Sequence, residues 1–223
     1  MNIKPIAHIK TDFSQKFGIP RQSGIVGELF GEIIFEKDFR DPEALRGIEE
    51  FSHLWLIFDF SKNHTGKFNP TVRPPRLGGN KRVGVFATRS PFRPNNLGLS
   101  CVKLEKINKT ENSGITLIVS GIDLLDGTPI YDIKPYIPYC DLKPDAIGSF
   151  AEEVKNYSLK VKYDEKIFDS FPQDKKTALI KCLQQDPRPS YQPDGKIYKM
   201  NFSGYEIIFK KCGEFIIILD IIK

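Results

Sequence analysis

The stretch SCVKLEKINKTENSGITLIVSGIDL, residues 100–124, decides the class of the fold. SCVKLEKI (100–107) and GITLIVSGIDL (114–124) are both strand-like, and the NKTENSG between them is turn-like. The same pattern continues in both directions. Upstream, HLWLIFDF (53–60) is dense in apolar and aromatic residues and reads as a core strand. GELFGEIIF (27–35) and IKPIAHI (3–9) read as two earlier strands. KRVGVFAT (81–88) is a further strand candidate with cationic flanks. Downstream, Asp126-Gly127 marks a turn at the head of LLDGTPIYDIKPYIPYCD, residues 124–141. Only Asp41-Pro42 opens a helix in this half, a short one over DPEALRGIEEF, with Asp41 as N-cap and Pro42 at the first position. Many short strands without a βαβ rhythm predict a closed or nearly closed β structure and argue against a doubly wound sheet.

The composition shifts after about residue 150. DKKTALIKCLQQ (174–185) places Ala178, Leu179, Cys182 and Leu183 on one helical stripe, with Asp174 as the cap candidate. YKMNFSGYEIIFKKCGEFIIILDII then reads as a short meander. The expected organisation is a mainly β domain, 1–150, followed by a small α+β domain, 151–223.

Composition also excludes several classes of function. The four cysteines, Cys101, Cys140, Cys182 and Cys212, form no CxxC pair, and the three histidines form no metal-ligand cluster. Neither GxGxxG nor GxxxxGK[ST] occurs. The longest apolar run near the C-terminus, FIIILDII (215–222), is too short to span a bilayer and contains Asp220. The N-terminus has no apolar h-region, so a cytoplasmic protein without metal is expected.

Charge is the strongest functional signal. The net charge is +5, yet residues 61–104 carry nine Lys or Arg and no Asp or Glu, which leaves the rest of the chain at −4. Within that segment, RPPRLGGNKRVGVFATRSPFRPN (73–95) holds six cations among prolines and glycines. Prolines restrict the backbone that presents the arginines, and a guanidinium offers a planar fork to phosphate or carboxylate. Such a surface suits a polyanion. A solvated basic loop, or one held together by arginine–carbonyl bonds, is the bland alternative. Phe92, between Pro91 and Arg93, is a candidate for stacking on a base or a ligand. In DLLDGTP (123–129), Asp123 and Asp126 can receive an ammonium or a ribose hydroxyl, and Thr128 can hold a small polar ligand. Asp132 can orient Lys134 or an arginine of the basic loop. In PRQSG (20–24), Arg21 and Gln22 sit between turn residues. From these features alone three readings stand: an enzyme acting on nucleic acid, a non-catalytic RNA-binding module, and an enzyme for a phosphorylated small molecule.

FSHLWLIFDF (51–60), VRPPRLGGNKRVGVFATRSPFRPNNLGLS (72–100), GIDLLDGTPIYDIKPYIPYCD (121–141) and DPRPSY (186–191) together resemble the TsaA/YaeB family of S-adenosylmethionine-dependent tRNA (adenine-37-N6)-methyltransferases. The resemblance implies a β-barrel that binds S-adenosylmethionine, a homodimer, and methylation of N6-threonylcarbamoyladenosine at position 37 of threonine tRNA. It places the cofactor near Pro20, Arg21, Gln22, Phe60, Ser61, Arg89, Leu99 and the turn Asp126, Gly127, Thr128 and Pro129. Asp126 and Asp132 become the candidate proton acceptors. Arg73, Arg76, Lys81, Arg82, Phe92 and Arg93 would meet the tRNA anticodon arm. Two positions depart from the pattern of many members. Ser61 stands in place of a histidine, which predicts an altered cofactor contact, and Asn96 in place of a proline, which predicts a looser loop.

Overall fold

Strand β1 (Ala7–Lys10) makes antiparallel pairs on both sides, and that closes the N-terminal sheet on itself. In the computed structural model the described residues are 2–223, apart from 65, 67, 75–80, 111–113 and 190. After β1 come β2 (Phe30–Phe35), β3 (His53–Asp59), the two-residue strands β4 (Thr71–Val72) and β5 (Val83–Gly84), β6 (Leu97–Thr110), β7 (Gly114–Ser120) and β8 (Thr128–Pro135). Six of these form a closed barrel in the order β1-β2-β7-β6-β3-β8, and every neighbouring pair is antiparallel. Inward residues alternate along the strands. Leu54, Leu56, Val102, Leu117, Val119 and Ile130 are all buried in the core.

The C-terminal part begins after one helical turn, α1 (Pro138–Asp141). Its sheet has the order β10-β11-β12-β9, built from β9 (Lys160–Lys162), β10 (Ile197–Phe202), β11 (Tyr205–Cys212) and β12 (Phe215–Ile222). β9 runs parallel to β12 and the other pairs are antiparallel. Helix α2 (Gln173–Gln184) buries Ala178, Leu179, Cys182 and Leu183, the stripe read from the sequence. Its cap position is Pro172, so Asp174 lies inside the first turn, where its charge favours the positive end of the helix.

The loop 11–29 is the mortar between barrel and C-terminal sheet. Phe13 meets Phe202 edge-on at 5.3 Å, and Phe17 stacks against Tyr198 and Phe209. Lys175 pairs with Asp12 at 2.7 Å, and Lys181 pairs with Glu28. Gly18 adopts φ +100°, and a Cβ there would lie 2.1 Å from Met200 Sδ. Only glycine permits that approach.

Three local expectations change. The helix at 42–51 is two 3-10 turns, Pro42–Leu45 and Ile48–Glu50, because Gly47 interrupts them in the left-handed region. Asp41 does cap the first turn, accepting the Glu43 N–H at 3.0 Å. The strand expected over 81–88 shortens to β5 and then coils into a 3-10 turn, Val85–Ala87, which buries Val85 and turns Phe86 outward. The strand over 114–124 ends at Ser120, because Gly121 turns the chain with φ +72°.

Candidate active site

The register of the barrel brings several chain ends together. Asp59 lies opposite Leu97, Phe58 opposite Ile130, and Ile9 opposite Thr128, so the end of β3, the start of β6, the start of β8 and the loop after β1 share one end of the barrel. A cavity of 480 Å³ opens there. The register shift between β3 and β8 at Ile57/Phe58 leaves Tyr131 as an extra residue in β8, and beside it Phe58 and Asp59, at the end of β3, are both buried and both line the cavity. The Phe58 ring meets Phe60 edge-on at 5.1 Å and lies flush on Gly98, where a Cβ would sit 2.2 Å from Phe58 Cζ. Glycine at 98 is therefore required for this aromatic wall.

Two carboxylates belong to the wall. Asp123 projects between the buried Ile122 and Leu124 and accepts the Ser100 hydroxyl at 2.5 Å. Burial pushes its carboxyl up to about 6, against the opposing pull of the Ser100 hydroxyl, backbone N–H groups and Arg89. Asp59 accepts from His64 Nε2 at 2.7 Å. Tyr131 is the third member of that cluster. Burial, and then the Asp59 charge beside it, hold the Tyr131 phenol above its ordinary range.

Most of the residues expected at a cofactor site meet here. Pro20, Arg21, Gln22, Phe60, Ser61, Arg89, Leu99 and Thr128 all line the cavity. Arg89 Nη1 donates to Gln22 Oε1, which ties the loop 20–24 to the basic segment across the opening. Arg21 Nη2 reaches the Asp186 carbonyl at 3.3 Å. The rest of the 126–129 turn lies behind the wall. Asp126 accepts the Thr11 N–H at 2.8 Å, Gly127 N–H donates to Ile9 O, and Pro129 pairs with His8. Asp132 pairs with Lys134 at 2.9 Å and is not among the lining residues.

Of the residues expected to meet nucleic acid, Arg73, Lys81, Arg82 and Phe92 are exposed, and Arg93 both lines the cavity and donates to Thr88 O at 2.7 Å. Arg76 lies outside the described residues. Asn96 tightens the loop that its substitution for proline was expected to loosen. Its side-chain amide donates to Pro91 O at 2.7 Å, a bond proline cannot make. Among the described residues no cluster of three His, Cys, Asp or Glu could hold a metal ion, and no helix is long and apolar enough to cross a membrane.

Comparison with known proteins decides the family. Residues 8–142 match the tRNA-methyltransferase O N-terminal domain, and residues 156–223 match the TrmO C-terminal domain. The chain belongs to the tRNA-methyltransferase O family. It is 41% identical over 204 residues to the tRNA (adenine(37)-N6)-methyltransferase of Escherichia coli, covering 86% of each protein. It is 35% identical over 165 residues to a protein of Pyrococcus abyssi named as a probable S-adenosyl-L-methionine-binding protein, covering 74% of this chain and 84% of that one. A crystal structure of TrmO superposes with a TM-score of 0.80 at 33% identity, covering 100% of this chain and 99% of that chain. Every residue of the cavity wall falls within the stretch that matches the tRNA-methyltransferase O N-terminal domain. The stretch that matches the C-terminal domain supplies Met200, Phe202, Tyr198 and Lys175, which hold the loop 11–29 in place.

Lys16, Asp59 and His64 were not singled out from the sequence. Lys16 donates to the Lys62 carbonyl at 2.9 Å and to Asn63 at 2.8 Å, pinning the far side of the opening. The available signal for Asp59 was an acid at the end of an otherwise apolar strand, HLWLIFDF.

Proposed function

We propose that this chain is an S-adenosylmethionine-dependent tRNA methyltransferase acting on N6 of adenosine 37, in the threonylcarbamoylated form carried by threonine tRNA. The supporting observation is the juxtaposition of an aromatic-walled, carboxylate-bearing cavity with an acid-free cationic surface on one segment, 85–93. The cavity volume of 480 Å³ lies in the range of roughly 300–1,000 Å³ usual for small-molecule sites. Its residues fit the cofactor's chemistry. Phe58, Phe60 and Leu99 offer apolar and aromatic faces, and Asp123 offers a half-buried partner for a cationic group. When bound, S-adenosylmethionine supplies an electrophilic methyl group on a positively charged sulfur.

The protein's own part is placement. The exocyclic nitrogen of plain adenine is a weak nucleophile, because its lone pair is delocalised into the ring. In the threonylcarbamoyl form its N–H lies beside a carbonyl and is more acidic, so orientation and charge placement carry much of the catalysis. Arg89 and Arg93 stand at the cavity, positioned for a threonyl carboxylate or a flanking phosphate. Asp126 and Asp132 were the proton acceptors suggested by the sequence. Because their carboxylates engage Thr11 and Lys134, our reading moves that role to Asp59 and His64. With Nε2–H donated to Asp59, His64 keeps Nδ1 as its basic nitrogen. The proposal includes a homodimer, a cytoplasmic site of action, docking of the anticodon arm on Arg73, Lys81 and Arg82, and a division of labour in which residues 1–150 form the cavity and 151–223 brace it. Base 37 lies in a single-stranded loop, so presenting it costs less unstacking than extraction from a duplex.

The test incubates the purified protein with S-adenosylmethionine and two anticodon-loop RNAs, one with threonylcarbamoyladenosine at position 37 and one with unmodified adenosine, and follows the nucleosides by mass spectrometry. A methyl gain confined to the modified base is expected. Cofactor binding with no gain on either RNA refutes this substrate. Absence of cofactor binding returns the chain to a non-catalytic RNA-binding role.

A further inference from the structure

Beside the cavity, two large aromatic rings face solvent. Phe68 is 50% exposed and Phe86 is 72% exposed, and they stack with centroids 6.2 Å apart and planes 26° from parallel. Phe86 is not on a loose tail. Its neighbour Val85 is fully buried, and Thr88 closes the 3-10 turn with both its N–H and its hydroxyl on Val85 O. The turn therefore holds the Phe86 ring outward, with its apolar surface in water. Arg93 connects this pair to the cavity. Its guanidinium carbon lies 5.9 Å from the Phe86 centroid, while the same side chain lines the cavity. The surrounding charge has one sign. Arg73, Lys81 and Arg82 are exposed on and around the β4–β5 pair, and residues 61–104 contain no acid.

We propose that the Phe68–Phe86 pair is a stacking platform for the unpaired nucleotide adjacent to the target base, an inference that rests on the tRNA reading above. A base that enters the cavity leaves its neighbour without a stacking partner, and a fixed aromatic ring replaces what is lost. The cations around it receive the phosphates on either side. The charge pattern favours RNA over a second copy of this chain as the occupant. A two-fold contact centred on the patch would set it against its own equivalent, cation against cation.

The test measures the affinity of an anticodon stem-loop RNA by fluorescence anisotropy over a range of salt concentrations, for the parent chain and for Phe86→Ala, Phe86→Leu, Phe86→Trp and Phe68→Ala. Phe86→Ala is expected to weaken RNA binding by about tenfold, the scale of one lost base–aromatic stack. The salt slope, the S-adenosylmethionine affinity and the sedimentation coefficient should stay at parental values. Phe86→Leu keeps apolar bulk but removes the ring face, so it should lose nearly as much, while Phe86→Trp should bind like the parent. Parental RNA affinity in the alanine and leucine variants overturns the platform while leaving the methyltransferase reading intact. Weaker RNA binding that follows a change in sedimentation overturns it in favour of a subunit interface. A parent chain that neither binds nor methylates the RNA overturns the function proposed above, and the platform with it.

Discussion

Asp123 carries a charge where little water reaches it. Its carboxyl, pushed up to about 6 by burial, titrates in the native state well above an unfolded aspartate. Between pH 4 and 6 the folded chain therefore holds a proton that the unfolded chain releases, and this residue's contribution to stability falls as pH rises through that window. Asp123→Asn should flatten that part of the stability–pH curve and leave the melting temperature at pH 7 equal to the parent's or higher. Under the proposed function the same charge meets the cationic cofactor. S-adenosylmethionine binding, followed by calorimetry, should weaken as pH drops through about 6 in the parent, whereas Asp123→Asn should bind weakly and without that pH dependence. A parental affinity in this variant would remove Asp123 from the site. Gly98→Ala tests the opposite wall. The added methyl must displace the Phe58 ring or the β6 backbone, with a cost of about 1–3 kcal/mol in stability and a loss of cofactor affinity read by the same titration. At this scale the expectation at Arg21, Gln22 and Arg89 came from the family resemblance, and the fold gathers those three side chains at one cavity. The sequence was uninformative about Asp59, because a strand pattern does not announce that the acid closing the strand will be buried beside His64 and Tyr131.

Among the elements, the basic segment separates into two groups by position. Arg89 and Arg93 face the cavity, whereas Arg73, Lys81 and Arg82 are exposed away from it. Arg73→Gln and Lys81→Gln should each lower the salt slope of tRNA binding by about one and leave cofactor affinity unchanged. Arg89→Gln should instead impair cofactor binding, since it also loses the link to Gln22. Equal salt slopes in all three variants would contradict this division. The strands of the barrel were legible because apolar density and turn residues agree in 100–124 and 53–60. The short β5 was not, because Val83 to Ala87 has strand-forming composition while the burial of Val85 coils the chain into a 3-10 turn. Helix α2 was read correctly along its buried face and misread at its cap, since Asp174 and Pro172 both suit a helix start.

For the whole molecule, the loop 11–29 sets the coupling. It lines the cavity with Lys16, Ile19, Pro20, Arg21 and Gln22 while its other side packs on the C-terminal sheet. Gly18→Ala should destabilise the chain by about 1–3 kcal/mol, because both the positive φ and the contact with Met200 exclude a side chain. It should also weaken S-adenosylmethionine binding even though Gly18 is not in the wall. Thermal unfolding with and without cofactor checks this, since a saturated site at a hundredfold excess over Kd contributes about 2.7 kcal/mol to the parent. None of this coupling was legible beforehand, because it depends on contacts between residues separated by more than 150 positions.

The closing pair of the barrel has a consequence for how the chain is made. Ala7 finds its second partner only at Ile130, so the first strand must wait on the ribosome until more than half of the protein has emerged. The loop that follows it waits longer still, for Tyr198, Met200, Phe202 and Phe209. During synthesis the barrel wall precedes its own floor fittings, and a nascent chain acquires its ligand-ready shape only as its last strands are delivered.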